Sequence, residues 1–275
     1  MPAVTVANAI LDRLFDLLLR PLRPLPMVMS LAVVSFVTAI AILLVVRATS
    51  NQRALAAIKR QMYADVLEMR LFNDDLRAMW RAQWSILRHN GRYLRLSLVP
   101  ALWTVVPLAI VLTQLQFHFG YAEVGVGEPV LVTAGLKSRG DLPDVALELP
   151  RGVHLESAAI RFPALQQVVW RVVADASGEF VLGVRAGGAT YEKTLCISSG
   201  LARRSPVRPA RRLVDQLLYP SEAPLPDAAA LASIGVAYAD RPLDLIGWHV
   251  PWIAAYVVLS FAFALVLKKP LRVTL

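Results

Sequence analysis

Three uncharged apolar runs punctuate the chain, and what lies between them sets the rest. Val28 to Val46 (VMSLAVVSFVTAIAILLVV) and Ser97 to Phe117 (SLVPALWTVVPLAIVLTQLQF) are each long enough to cross a bilayer core, which takes about 20 apolar residues. Trp252 to Leu267 (WIAAYVVLSFAFALVL) reaches that length when Trp248 to Pro251 is added. The pattern predicts three spans, at 27–47, 97–118 and 248–268.

The stretch between the first two runs cannot sit in lipid, and it has helical periodicity. Leu55, Ile58, Met62, Val66 and Met69 step by three and four, as a coiled-coil seam does. Leu76, Met79, Gln83, Ile86 and Leu87 continue the seam less cleanly. Asn73-Asp74-Asp75 interrupts it with side chains that favour turns and caps. Both ends must meet the same membrane face. One helix of about 45 residues would end about 65 Å from its start, so 48–96 is expected to be an antiparallel coiled-coil hairpin. Its helices fall near 48–72 and 74–90, with a stop at Asn90-Gly91. Trp80, Trp84, Tyr93 and Trp103 are interfacial candidates.

From Glu128 to Ser198 the period changes to two. PVLVTA, DVALEL, AAIRF, QVVWRVVA, GEFVLGVRA and TYEKTLCIS are β-branched runs separated by turn residues. Alternation through Val168, Trp170 and Val172, and through Phe180, Leu182 and Val184, fits one buried face. Gly178, Gly187 and Gly188 mark turns. Residues 122–200 are expected to form an all-β, immunoglobulin-like sandwich, with 201–247 as a linker. Within that linker SIGVAYADRPLDLIGWHVPW reads as a short strand and a turn feeding the third span. Trp248 and Trp252 would anchor it at the interface. Arg203, Arg204, Arg208, Arg211 and Arg212 would lie on a solvated loop, or meet anionic lipid or an acidic partner.

Before the first span, Val6, Ile10, Leu14, Leu17 and Leu18 recur at helical spacing, with Asp12, Arg13 and Asp16 on or beside the other face. Pro21 ends that helix. Residues 1–26 would lie on the outer leaflet as an amphipathic helix, or pack on the outer domain.

Composition agrees with a membrane protein: 56% of residues are hydrophobic and the mean hydropathy is +0.52, where soluble chains hold roughly 45–50% apolar residues. The net charge of +9 then sets orientation. The hairpin carries Arg47, Arg53, Lys59, Arg60, Arg70, Arg77, Arg81, Arg88, Arg92 and Arg95 against Asp65, Glu68, Asp74 and Asp75. The tail at 269–275, with Lys268 just before it, is also basic, and 121–247 is close to neutral. Lys and Arg accumulate on the cytoplasmic side of short loops, whereas long loops cross largely regardless of charge. The expected topology is N-out and C-in, in the plasma (inner) membrane. Orientation accounts for the basic excess, so no specific nucleic-acid partner is implied. The single Cys196 sits in an apolar strand-like run as buried filler and gives no disulfide framework.

Catalytic signals are missing. There is no phosphate loop, GxSxG, HExxH or CxxC, and His89, His118, His154 and His249 are scattered singly. No Asp, Glu or Lys lies inside a span, which disfavours ion-coupled transport. No enzyme activity, cofactor or metal is expected.

The segment RATSNQRALAAIKRQMYADVLEMRLFNDD, the following LVPALWTVVPLAIVL and the preceding FDLLLRPL together resemble the YidC/Oxa superfamily of membrane protein insertases. The resemblance is to its minimal three-span branch, which includes archaeal YidC-like proteins and the third subunit of the ER membrane protein complex. It covers about 1–120 and 248–272. The β domain is an addition, and Arg47 lies at the cytosolic edge where bacterial members place an arginine within the groove. The resemblance implies a hydrophilic intramembrane groove that accommodates client spans. Ser35, Thr38, Thr104, Thr113, Gln114, Tyr256 and Ser260 are its candidate lining, with Arg47 as an electrostatic guide. The basic hairpin residues Arg53, Lys59, Arg60, Arg70, Arg77, Arg81 and Arg88 would meet the ribosome or nascent membrane proteins, and the β domain an envelope partner. The competing reading is a membrane-anchored assembly scaffold whose sandwich binds a protein or glycan without insertase activity.

Overall fold

Helices α1 (Pro2–Leu19), α2 (Met27–Thr49), α3 (Gln52–Leu71) and α4 (Leu76–Phe119) occupy the first part of the chain. The computed structural model describes residues 2–50, 52–71, 76–137, 144–245, 247–271 and 273. The chain forms two units, one of Met1–Ser30 with Leu112–Trp252 and one of Leu31–Val111 with Ile253–Leu275. Among the described residues two helices are long and apolar enough to cross a membrane: α2 and the Gln83–Phe119 part of α4.

The second apolar run does not begin after a helix stop. α4 runs unbroken for 44 residues through Asn90-Gly91, Pro100 and Pro107. One glycine costs about 1 kcal/mol relative to alanine, which does not end a helix flanked by Ile86, Leu87, Arg92 and Leu94. The expected turn at Asn73-Asp74-Asp75 lies outside the described residues.

The β domain is antiparallel throughout its named strands. Strands β1 (Val130–Leu136), β2 (Val145–Glu148), β3 (Val153–Phe162), β4 (Gln167–Ala174), β5 (Gly178–Ala186) and β6 (Ala189–Ile197) match the six runs read from the sequence. Gly187 and Gly188, at φ +60° and +81°, form the two-residue β5–β6 turn, which needs positive φ at both central positions. The segment expected as a linker is structural instead. It supplies β7 (Val207–Pro209), helix α5 (Leu213–Leu218) and β8 (Leu231–Val236). β8 sits inside a five-stranded sheet of order β3-β4-β1-β8-β7, beside a three-stranded sheet β2-β5-β6. Leu231, Ile234 and Val236 join Val132, Trp170, Leu182 and Leu195 in one buried cluster drawn from both sheets. Cys196 is buried and free, as its apolar run suggested.

The third apolar segment is also shorter than expected. Trp248–Pro251 is not helical: it forms β10, paired with β9 (Pro242–Leu245). Helix α6 therefore starts at Trp252 and ends at Leu267, 16 residues in all, or about 24 Å at 1.5 Å per residue. A bilayer core is about 30 Å thick.

Candidate functional site

The candidate groove residues divide between the two units. In the unit of Leu31–Val111 and Ile253–Leu275, Ser35 and Tyr256 are buried, and the Tyr256 hydroxyl is directed at Thr38 and Ser260. Phe36 meets Phe263 edge-on at 5.4 Å, so this is where α2 packs on α6. Thr38 Oγ1 donates to Val34 O at 2.9 Å and Thr104 Oγ1 to Pro100 O at 2.8 Å. Such bonds satisfy a hydroxyl within its own helix. Arg47 is exposed, and its Nη1 donates to Leu271 O at 3.4 Å, linking the end of α2 to the C-terminal segment. Thr113 and Gln114 belong to the other unit.

What the same unit does present is apolar. A groove of about 510 Å³ is lined, among the described residues, by Val45, Leu102, Trp103, Val106 and Pro107. Pro100 and Pro107 each remove the N–H that would bond the carbonyl one turn earlier, leaving the Leu96 and Trp103 carbonyls short of a helical donor.

Leu102 also belongs to a longer feature. Trp80, Trp84, Leu87, Leu94, Leu98, Leu102 and Val105 follow one another by three, four or seven residues, which places them on one face of α4. Each is more than half exposed, from 57% at Leu98 to 76% at Trp80. Gly91 continues the face, with nothing within 4 Å of where a Cβ would stand. The opposite face of α4 is the one turned to α3. There Tyr93 lies under the Lys59 ammonium at 5.5 Å, beside Met62, Tyr63, Val66 and Asn90. One side of α4 thus meets α3, and an apolar face on another side is uncovered. Arg88, Arg92 and Arg95 are exposed and flank the uncovered face. Arg53 and Arg60 are exposed on α3, and the side chains of Arg70, Arg77 and Arg81 lie outside the described residues.

In the other unit a polar clamp holds α1. Gln114 Nε2 donates to Asp12 Oδ1 at 3.0 Å, and His118 Nε2 lies 2.9 Å from Asp16 Oδ1. Both partners advance by four residues, so α1 and the last turns of α4 run in the same direction side by side. Arg203 bridges the pair. It is ion-paired with Asp12, 3.4 Å from Asp16 Oδ2 and 3.4 Å from Gln114 Oε1. His118 Nδ1 also lies 3.1 Å from Gln114 O. Burial pushes the Asp16 carboxyl up, but the His118 bond and the Arg203 charge outweigh it and hold it below its ordinary 3.8. Asn8 Nδ2 adds a bond to Gln216 O at 2.9 Å. The polar side of α1 therefore faces the protein, while Val6, Ile10, Leu14, Leu17 and Leu18 are exposed. Trp252 is not a free interfacial anchor: its Nε1 donates to Gln116 Oε1 at 2.9 Å and its ring stacks on Phe119. Trp248 is 77% exposed.

A second buried cluster seals the edge of β6. Arg208 donates to Glu192 O, Thr194 N to Glu222 Oε1 at 3.3 Å, and Cys196 N to the Tyr238 hydroxyl at 2.9 Å. These are alternate residues, whose backbone groups point away from β5. Side chains stand in for the missing neighbour strand, which blunts an edge open to pairing. Lys193 is buried beside them, donating to Glu222 Oε1 and Ser205 O, each at 2.7 Å. Burial pushes its ammonium below the ordinary lysine range, against the opposing pull of Glu222. Burial likewise raises the Tyr238 phenol. Arg204, fully buried, donates to Ser198 O at 2.8 Å and to Gly200 O at 3.3 Å, pinning a loop. The arginines read as a solvated loop thus divide, with Arg203, Arg204 and Arg208 used internally.

Sequence reasoning missed the clamp. The signal was the matched four-residue spacing of Asp12/Asp16 and Gln114/His118. Among the described residues no group of three His, Cys, Asp or Glu could hold a metal ion. No family model, curated protein or solved structure matches the chain.

Proposed function

We propose that the protein is a membrane chaperone of the insertase type, which receives apolar client segments along the uncovered face of α4. In this reading α2, α4 and α6 are three spans with the N-terminus outside. The α3–α4 hairpin lies in the cytosol, and the β domain is an immunoglobulin-like sandwich on the far side of the plasma membrane. The observation that supports it is the single apolar face running from Trp80 to Val105. Its first part lies in the polar hairpin, where covering apolar surface is favourable by about 25 cal/mol per Å². Its last part lies in the apolar segment, where lipid is as apolar as leucine and no such drive remains. A client helix would be captured in water and released in lipid along one track. Arg88, Arg92 and Arg95 would hold acidic flanks or the ribosome surface. The carbonyls freed by Pro100 and Pro107 would accept bonds from a client's polar flank. The reading assigns no catalysis and no cofactor.

A second reading, an assembly scaffold, draws on the β domain. β3 is an edge strand of its sheet, and Leu155, Ile160 and Phe162 on it are exposed. An open edge with apolar side chains accepts an added strand. Depletion of the protein followed by quantitative membrane proteomics separates the two. Loss of several unrelated small membrane proteins is expected for a chaperone; loss of one complex alone would replace it with the scaffold.

A further inference from the structure

Helix α5 has six residues, and only Gln216 among them is buried. Leu213, Val214, Leu217 and Leu218 are each about half exposed or more. Such a face on a water-facing domain exposes apolar area that something must cover. Its surroundings say what. α5 adjoins α1, because Asn8 bonds the Gln216 carbonyl, and α1 also turns its apolar side outward. The same unit contains the first turn of α2, tied back by Ser30 Oγ to Leu22 O at 3.0 Å. It also holds the last turns of α4 and the start of α6 at Trp252. The places where the chain enters and leaves its apolar helices are therefore built into the unit that carries α5. Two exposed arginines, Arg211 and Arg212, immediately precede the helix, while the one acid within it, Asp215, is half-buried. Arg211 makes a solvent-exposed contact to Asp227 at 3.6 Å, which is weak enough to leave it available to another anion.

We infer that α5, with Arg211 and Arg212, seats the β domain on an anionic lipid surface. The apolar side chains enter the boundary between headgroups and acyl chains, and the guanidiniums meet phosphate at its rim. The inference rests on the membrane reading of α2 and α4 but not on client handling.

The test uses the full chain in nanodiscs of phosphatidylcholine, alone or equimolar with phosphatidylglycerol. Spin labels are placed one at a time through Val214→Cys, Leu217→Cys, Val181→Cys on exposed β5, and Val37→Cys on α2. Wild type, with its buried Cys196, is the labelling control. The readout is collision with oxygen, which concentrates in lipid, against a water-soluble nickel chelate. Oxygen should dominate at Val214, Leu217 and Val37, and the chelate at Val181. Phosphatidylglycerol should strengthen the oxygen preference at Val214, and Arg211→Gln with Arg212→Gln should abolish that strengthening. Chelate dominance at Val214 and Leu217 with oxygen dominance at Val37 overturns the seating of α5 alone. Chelate dominance at Val37 as well removes the membrane reading and this inference with it. An oxygen preference at Val214 indifferent to phosphatidylglycerol overturns the role of the arginines.

Discussion

His118 and Asp16 meet at 2.9 Å, one helical turn beyond the point where Gln114 meets Asp12, and Arg203 spans both carboxylates. This arrangement turns an amphipathic helix inside out. α1 keeps its polar face in the protein because two matched partners await it there, and its apolar face is left exposed.

Removing Arg203 tests the clamp. Its side chain and that of Asp12 are only 15% and 13% exposed. Arg203→Ala leaves the buried carboxylate without its cation, and losing one partner of a buried pair costs about 3–5 kcal/mol. A clear fall in the thermal midpoint of the purified protein is expected, with faster proteolysis of α1. Arg203→Lys should recover only part, because lysine cannot fork to Asp12, Asp16 and Gln114 together.

The pH dependence of the clamp has a defined sign. The Asp16 carboxyl is held below its ordinary 3.8. Its contribution is present in full above that value and is lost as pH falls through the lower folded one. A spin label at Val6 should keep constant mobility from neutral pH down to about pH 4 and loosen below it. Asp16→Asn should be looser already at neutral pH. Loosening of wild type near neutrality would contradict this assignment.

Tyr238→Phe removes the acceptor of the buried Cys196 N–H on the sealed edge of β6. An unsatisfied buried donor costs about 1–3 kcal/mol, and denaturant unfolding should show a loss of that size. Amide exchange should rise at Cys196 and Thr194, while β1 amides stay protected.

Gly91 lies inside α4 rather than at its end. Gly91→Ala meets no obstacle within 4 Å and should stabilise the helix by about 1 kcal/mol. Gly91→Pro should break the track between Leu87 and Leu94. Amide exchange across Leu87–Arg95 reads both.

Much of this architecture was legible in the chain because period carries it. Alternation in QVVWRVVA placed Val168, Trp170 and Val172 in the core, and uncharged length marked α2 and the end of α4. The errors came where a local signal competes with tertiary pairing. Asn90-Gly91 looks like a stop, yet neighbouring helix formers carry α4 through it. The basic, proline-broken stretch with Pro206 and Pro209 makes 201–247 look like a linker, although its central strand, β8, pairs with β1. Trp248–Pro251 is apolar enough for a span but finds a strand partner in Leu243 and Leu245. The candidate site was legible only in part. Hydroxyl-bearing residues of the spans stood out by type, but Thr38 and Thr104 bond their own helices. The uncovered face of α4 was hidden because its residues were divided: Trp80 and Trp84 read as interfacial, Leu87 as part of the hairpin seam, and Leu98, Leu102 and Val105 as part of the second apolar run.

The most direct measurement is a crosslinking ladder along that face. A photoreactive residue replaces Trp84, Leu94 or Leu102 in turn, or Ile86 on the side turned to α3, in the intact protein with ribosomes stalled on a membrane protein of increasing length. The account predicts capture first at Trp84, then Leu94, then Leu102 as the nascent span emerges, with none at Ile86. Equal capture at every position, or none at any length, would contradict it.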